Sequence, residues 1–314
     1  MHFGVIEMDL VNHLNDRLLF AVPKKGRLYQ QCLELLKGAD IHFNRSNRLD
    51  IALCTNMPIA LVFLPAADIP RFVGEGRVSL GITGQDQVAE SDINVREIVN
   101  LGFGSCKLQV EVPENGEISD TRQLIGKSIV TSFTNLTEQY FRKLEAEAAI
   151  GEEAVNGDGK IHLKTVVKYV GGSVEAACAL GIADAVVDLV ESGETMRAAG
   201  LKAIETIFET SAVLIASQHP THPDLLEIIV SRIKGVIAAG KYVLCNYNCP
   251  REKLDVVINI TPGRRAPTVS PLEDEDWVAV SSMVEKKRIA EVMDKLRATG
   301  AEDILVFNIS NSRV

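Results

Sequence analysis

Short apolar runs alternate with amphipathic stretches from about residue 17 to residue 215. The runs Leu18–Val22, Ala60–Leu64, Val78–Ile82, Lys107–Val112, Ser128–Thr131, Thr165–Val170 and Ala183–Leu189 read as strands. Between them, apolar residues recur at helical spacing in Leu28–Lys37, Ile69–Gly74, Glu138–Ala149 and Val174–Leu180. This alternation predicts βα units on largely parallel sheets, an α/β body. The polar stretch Val155–Lys160, with NGDG at its centre, reads as a turn. Around Gly102–Cys106 and again around Ser192–Ala199, glycine and small residues interrupt the strand pattern where a two-lobed body needs crossovers. The expected division is one lobe of residues 9–104 with 195–218, a second of residues 105–194, and a cleft between them.

The pattern changes after the connector HPTHP, which holds His219 and His222. Helix Asp224–Ala239 leads to strand Tyr242–Asn246, helix Arg251–Asn259, strands Ala266–Ser270 and Trp277–Met283, helix Lys286–Thr299 and strand Ile304–Ile309. After its leading helix this order is βαββαβ, so residues 222–314 are expected to form a ferredoxin-like domain.

Composition narrows the function classes. The chain has 314 residues, 46% of them hydrophobic, enough for two or three compact units. Its net charge of −9 argues against nonspecific binding of nucleic acid, so any polyanion must be held locally. The six cysteines, Cys32, Cys54, Cys106, Cys178, Cys245 and Cys249, are scattered through apolar segments and read as reduced thiols. Cys245 and Cys249 lack a second pair at zinc spacing and read as buried thiols. No run approaches the ~20 apolar residues of a spanning helix. The opening MHFGVIEM lacks the basic-then-apolar order of a signal peptide, and residues 1–7 read as an extension before Met8.

Three stretches carry candidate chemistry. In DLVESGETM, residues 188–196, a strand ends on an acid and is followed by a small, hydroxyl-rich turn and a helix start. Backbone N–H groups of Ser192, Gly193, Glu194 and Thr195 would then cradle a phosphate, and Asp188 would accept from ribose hydroxyls. Glu191 and Glu194 must point outward or meet a metal ion. The bland reading of the same stretch is a capped turn. In PKKGRL, residues 23–28, Lys24, Lys25 and Arg27 gather at the end of the first strand, where ligands of open α/β sheets collect; the alternative is a solvated basic loop. In residues 65–86, Gly81 and Gly84 permit close approach by a nucleotide or merely form a tight turn, with Arg48, Asp68 and Asp86 as polar neighbours. GxSxG, HExxH and P-loop motifs are absent, so the chemistry indicated is positioning and electrostatics.

Together PKKGRL, DIPRFVGEGRVSLGITGQD, GGSVEAACALGIADAVVDLVESGETMRAAGL and ITPGRRAPT resemble the long form of ATP phosphoribosyltransferase, most closely the fungal version, from about Met8 to Val314. The resemblance implies condensation of ATP with phosphoribosyl pyrophosphate, with Mg²⁺, to N1-phosphoribosyl-ATP and pyrophosphate, the first step of histidine biosynthesis. It implies a two-lobed body like the periplasmic binding proteins, a C-terminal histidine-sensing domain, a cytoplasmic location and assembly as dimers and hexamers. Carried over by motif, residues 188–196, Glu191 among them, are the phosphoribosyl pyrophosphate loop, with the 5′-phosphate on Ser192 to Thr195 and the ribose at Asp188. Lys24 and Arg27 line the cleft, and Arg48, Asp68, Gly84, Lys107 and Glu175 lie near the nucleotide. Asn248, Thr268 and Asp303 match the histidine site. Two other classes share the features so far: a solute-binding module of the same two-lobed shape, and a silent subunit that only binds histidine.

Overall fold

A computed structural model describes residues 14–45, 49–148 and 163–313. Arg48, the Val155–Lys160 turn and residues 1–7 lie outside the described residues. The chain divides into two compact units, one running mainly to His222 and the other from Pro223 onward.

The first unit opens with β1 (Leu18–Pro23), α1 (Tyr29–Gly38), β2 (Ile51–Leu53), β3 (Ile59–Leu64), α2 (Ile69–Gly74), β4 (Leu80–Gly84), α3 (Gln85–Ser91) and β5 (Arg96–Asn100). It continues through β6 (Cys106–Pro113), β7 (Ser128–Thr131), α4 (Thr134–Ala148), β8 (Val166–Tyr169), α5 (Ala176–Ala179), β9 (Ala185–Val190), α6 (Glu194–Ala198), β10 (Leu201–Thr210) and β11 (Ala212–Ala216). Two sheets result, ordered β2-β3-β1-β4-β11-β5 and β10-β6-β9-β7-β8. β1 runs parallel to both neighbours, and its LLFAVP is almost wholly buried, as a central strand covered on both faces requires. α2 starts cleanly because Pro70 occupies its first turn, where the missing N–H costs no hydrogen bond.

The second lobe is larger than the sequence pattern suggested. β10 pairs antiparallel with β6 over its whole length, so the chain stays in the second sheet to Thr210 and returns only at β11, which pairs with β4 and β5. The crossovers are therefore Leu101–Ser105 and Thr210–Ser211. Residues Ser192–Ala199, read as a crossover, instead form the turn and short helix α6 that link two strands of one sheet.

The second unit contains α7 (Pro223–Lys241), β12 (Tyr242–Pro250), α8 (Leu254–Ile260), β13 (Thr268–Pro271), β14 (Trp277–Glu285), α9 (Ile289–Thr299) and β15 (Glu302–Asn308). Its sheet order, β13-β14-β12-β15, is the ferredoxin-like arrangement, every pair antiparallel. Strict alternation along β12 buries Val243, Cys245, Tyr247 and Cys249 against α8 and α9. This unit also draws in Leu33–Asn44 and Cys54–Met57, which the expected boundary at residue 222 left out. There Arg232 on α7 donates to the carbonyls of Ala39 at 3.3 Å and Asp40 at 3.1 Å.

Candidate active site at the lobe junction

A cavity of about 610 Å³ opens between the two sheets of the first unit, lined from the second lobe by Lys107, Gln109, Glu191, Ser192, Gly193 and Arg197 and at the crossovers by Ser105, Thr210 and Ser211. That volume suits a small phosphorylated metabolite. Its wall follows from strand alternation. On β6, Lys107, Gln109 and Glu111 share a face, opposite Val190, Asp188 and Val186 of antiparallel β9. Gln109 bridges onward to Thr206 of β10 at 2.8 Å.

The turn after β9 is built around Gly193, whose φ of +74° is left-handed and where a Cβ would lie 2.8 Å from Arg197 Nη1. Ser192 Oγ accepts the Glu194 N–H at 3.4 Å, and Arg197 donates to the Ser192 carbonyl at 3.2 Å. Of the expected phosphate loop, Glu191, Ser192 and Gly193 face the cavity, while Glu194 and Thr195 start α6 outside its wall. Arg197 faces the cavity with them. Its spacing from Gly193 on the first turn of α6 was the signal available in the sequence.

Behind the wall lie three acids. Glu111 is buried, and burial first, then the charges of Asp188 and Glu175, pushes its carboxyl up to about 7. Burial also raises Asp188, against the opposing pull of the Leu189 N–H at 2.8 Å, with Glu175 adding to the rise. Such a group favours ligands that donate hydrogen bonds or bring positive charge.

From the first lobe, Arg27 reaches the junction. It donates to the Gly104 carbonyl in one crossover and to Asp86 Oδ1 at 3.3 Å. Its charge is felt at Cys106 on the cavity wall: burial pushes that thiol up to about 11, Arg27 lowers it, and Asp86, Glu191 and Asp188 raise it. Arg27 stands beside the cavity, bonded to the crossover, and not on its wall; Lys24 is also off the wall, its ammonium 3.9 Å from Asp50. Lys107 is on the wall, 3.5 Å from Glu209. Asp68 occupies the N-cap position of α2 but makes no side-chain cap bond. The glycines of the GITG stretch have protein partners: a Cβ on Gly81 would lie 2.6 Å from Ile69 Cγ2, and one on Gly84 would overlap Asp86 Oδ1. Gln85, Ser105, Gln109, Thr210 and Ser211 were not singled out in the sequence, because only the crossovers bring them to one place.

In the second unit Asn248 Nδ2 donates to Asp303 Oδ2 at 3.0 Å. Thr268 lies on β13, the opposite edge of that sheet from β15.

A junction that collects groups from two lobes around one cavity suits an enzyme that joins two substrates, a group transferase. Comparison with known proteins identifies which. The family model HisG, ATP phosphoribosyltransferase, matches residues 65–235 and the HisG C-terminal domain matches residues 239–311; the chain belongs to the ATP phosphoribosyltransferase family. ATP phosphoribosyltransferase of Yarrowia lipolytica is 67% identical over 98% of this chain and 100% of its own length. That of Debaryomyces hansenii is 62% identical over 98% of this chain and 100% of its own length. Among solved structures, the ATP phosphoribosyl transferase (HisG:HisZ) complex from Thermotoga maritima matches with a TM-score of 0.56 at 20% identity, covering 69% of this chain and 96% of that one, a likeness of fold. The activity is ATP phosphoribosyl transfer, the first step of histidine biosynthesis.

Proposed function

We propose that the lobe-junction cavity is where phosphoribosyl pyrophosphate and ATP react, and that the second unit senses histidine. The observation that carries the first part is one cavity lined by Lys107, Glu191, Ser192, Gly193 and Arg197 of the second lobe and by both crossovers, to which Arg27 of the first lobe is tied through the Gly104 carbonyl. Ser192 and Gly193 of the turn, with Arg197, hold the 5′-phosphate, and Asp188 accepts from the ribose hydroxyls. Displacing pyrophosphate from C1 builds positive charge on the sugar and negative charge on the leaving group. The acids behind the wall stabilise the first, and Arg27 and Lys107 meet the second; Lys24, paired with Asp50, stands off the cavity wall. Adenine N1 is already nucleophilic, so orientation supplies most of the acceleration. Asp68, Gly84, Glu175 and Arg48 are carried to the nucleotide side by motif alone.

Among the described residues no three His, Cys, Asp or Glu side chains are grouped to hold a metal ion. Mg²⁺ keeps several waters and binds through one or two carboxylates plus substrate phosphates. Glu191 on the wall therefore fits an ion that arrives on the pyrophosphate, where it would neutralise leaving-group charge.

Asp303 sits on the edge strand β15, with Asn248 on β12 beside it, and Thr268 on the opposite edge strand β13, so a histidine site using all three takes them from two copies of the chain. That favours a homo-oligomer, a dimer or hexamer, acting in the cytoplasm. The test is pyrophosphate release by the purified chain with ATP, phosphoribosyl pyrophosphate and Mg²⁺, with and without histidine. Turnover that needs both substrates and falls with histidine supports both parts. Turnover indifferent to histidine removes the sensor, and ligand binding by folded protein without turnover leaves a solute-binding module.

A further inference from the structure

Asp86 is 1% exposed, at the start of α3, and is bonded directly to one crossover and, through Arg27, to the other. Its Oδ1 accepts from Thr210 Oγ1 at 2.6 Å and from Arg27 Nη2 at 3.3 Å. Thr210 Oγ1 in turn accepts the Asp86 backbone N–H at 3.0 Å, so the two residues are bonded in both directions. Asp86 Oδ2 takes Gln87 Nε2 at 2.8 Å. Thr210 is the last residue of β10 and lines the cavity, and Gly104, which accepts from Arg27 Nη1, belongs to the other crossover. Arg27 and Asp86 are therefore fastened to both passages between the lobes.

Two glycines make this possible. A Cβ on Gly84 would overlap Asp86 Oδ1, and a Cβ on Gly104 (φ +65°) would overlap Leu28 Cδ2 and lie 3.2 Å from Arg27 Nη1. The guanidinium has five N–H donors. Asp86 and the Gly104 carbonyl engage one each of its Nη1 and Nη2 groups. The planar fork is thereby fixed, and three N–H remain to meet an anion.

We infer that Asp86 is a positioning residue of the transfer reaction: it holds Arg27 at the lobe junction, with Thr210 as the link that registers this pair against the crossover. The inference rests on the reading that Arg27 meets leaving-group charge. Because that charge develops as the C1–O bond breaks, misplacing Arg27 lowers kcat and leaves the KM for ATP nearly unchanged.

The experiment is a double-mutant cycle in the full chain with Arg27→Ala, Asp86→Asn and the double variant, each checked for folding by thermal melting. Asp86→Asn should lower kcat at least tenfold with the KM for ATP within threefold. The double variant should be no slower than Arg27→Ala alone, because Asp86 has nothing left to position. Effects that multiply would overturn the inference, as would an Asp86→Asn enzyme of parental kcat. If Arg27→Ala itself keeps parental kcat, the underlying assignment of Arg27 fails instead. Should Asp86→Asn melt out, Thr210→Val carries the same test, with an expected loss of three- to tenfold that vanishes in the Arg27→Ala background.

Discussion

Glu90, in the last turn of α3, caps the N-terminus of α4: its carboxylate accepts the Asn135 N–H at 2.9 Å and the Leu136 N–H at 3.0 Å, while its carbonyl takes Asn135 Nδ2 at 3.2 Å. α3 belongs to the first lobe and α4 to the second, so the helix end is satisfied across the junction. An acceptor on orphan helix N–H groups contributes about 1 kcal/mol, and a negative charge there adds to it. Glu90→Ala should cost about 1–2 kcal/mol and lower the melting temperature by about 2 °C or more. Glu90→Gln should fall between. If Glu90→Ala melts like the parent, the bond is not formed in solution.

What the sequence disclosed about this fold followed residue pattern. β1 and β3 are continuous apolar runs, β7 is a short β-branched run, and the alternation of β12 marks its buried face. β5, with only Ile98 and Val99 apolar in REIVN, and β2, three residues long, carry too little pattern to stand out. A crossover read at Ser192–Ala199 leaves β10 (LKAIETIFET) and β11 (AVLIA) without a place in either sheet. The turn there has the same small residues as a crossover, and only pairing of Leu201–Thr210 with β6 tells the two apart. For the site, Ser192, Gly193 and Lys107 were legible as types in motifs. Asp86 is legible only as a polar neighbour of the GITG stretch and Thr210 not at all, because their significance lies in a contact across 124 positions.

Glu111 makes stability depend on pH. Its carboxyl moves from 4.5 to about 7 in the folded protein. Between those values the folded chain binds more protons than the unfolded chain, so this group's stabilisation is complete below about pH 4.5 and is lost as pH rises through about 7. Glu111→Gln removes that dependence. The melting temperature of the variant should gain on the parent's between pH 4.5 and pH 8, with an upper bound of about 3 kcal/mol at 1.36 kcal/mol per unit. A constant difference across that range would mean that Glu111 titrates normally.

Asp303 holds a left-handed conformation, φ 50°, with its carboxylate bonded to Asn248 at 3.0 Å. A non-glycine residue kept there is stabilised by its surroundings or serves a ligand. Asp303→Ala should raise the histidine concentration for half inhibition at least tenfold, while kcat without histidine stays within twofold. Unchanged inhibition in a folded variant would take Asp303 out of the histidine site.

The two glycines of the GITG stretch should fail in different ways when each is replaced by alanine. At Gly81 the new methyl meets Ile69 Cγ2 at 2.6 Å and Val73 Cγ2 at 2.9 Å, which are packing groups of α2 against β4. Neither touches the cavity wall, and overpacking of this kind costs about 1–3 kcal/mol. Gly81→Ala should therefore melt earlier while its folded fraction keeps parental kcat. At Gly84 the methyl overlaps Asp86 Oδ1, so the carboxylate must leave Thr210 and Arg27. Gly84→Ala should lose kcat more than stability. Measuring melting temperature and kcat on both variants separates the roles, since equal loss of kcat in the two would show that the stretch acts only through packing.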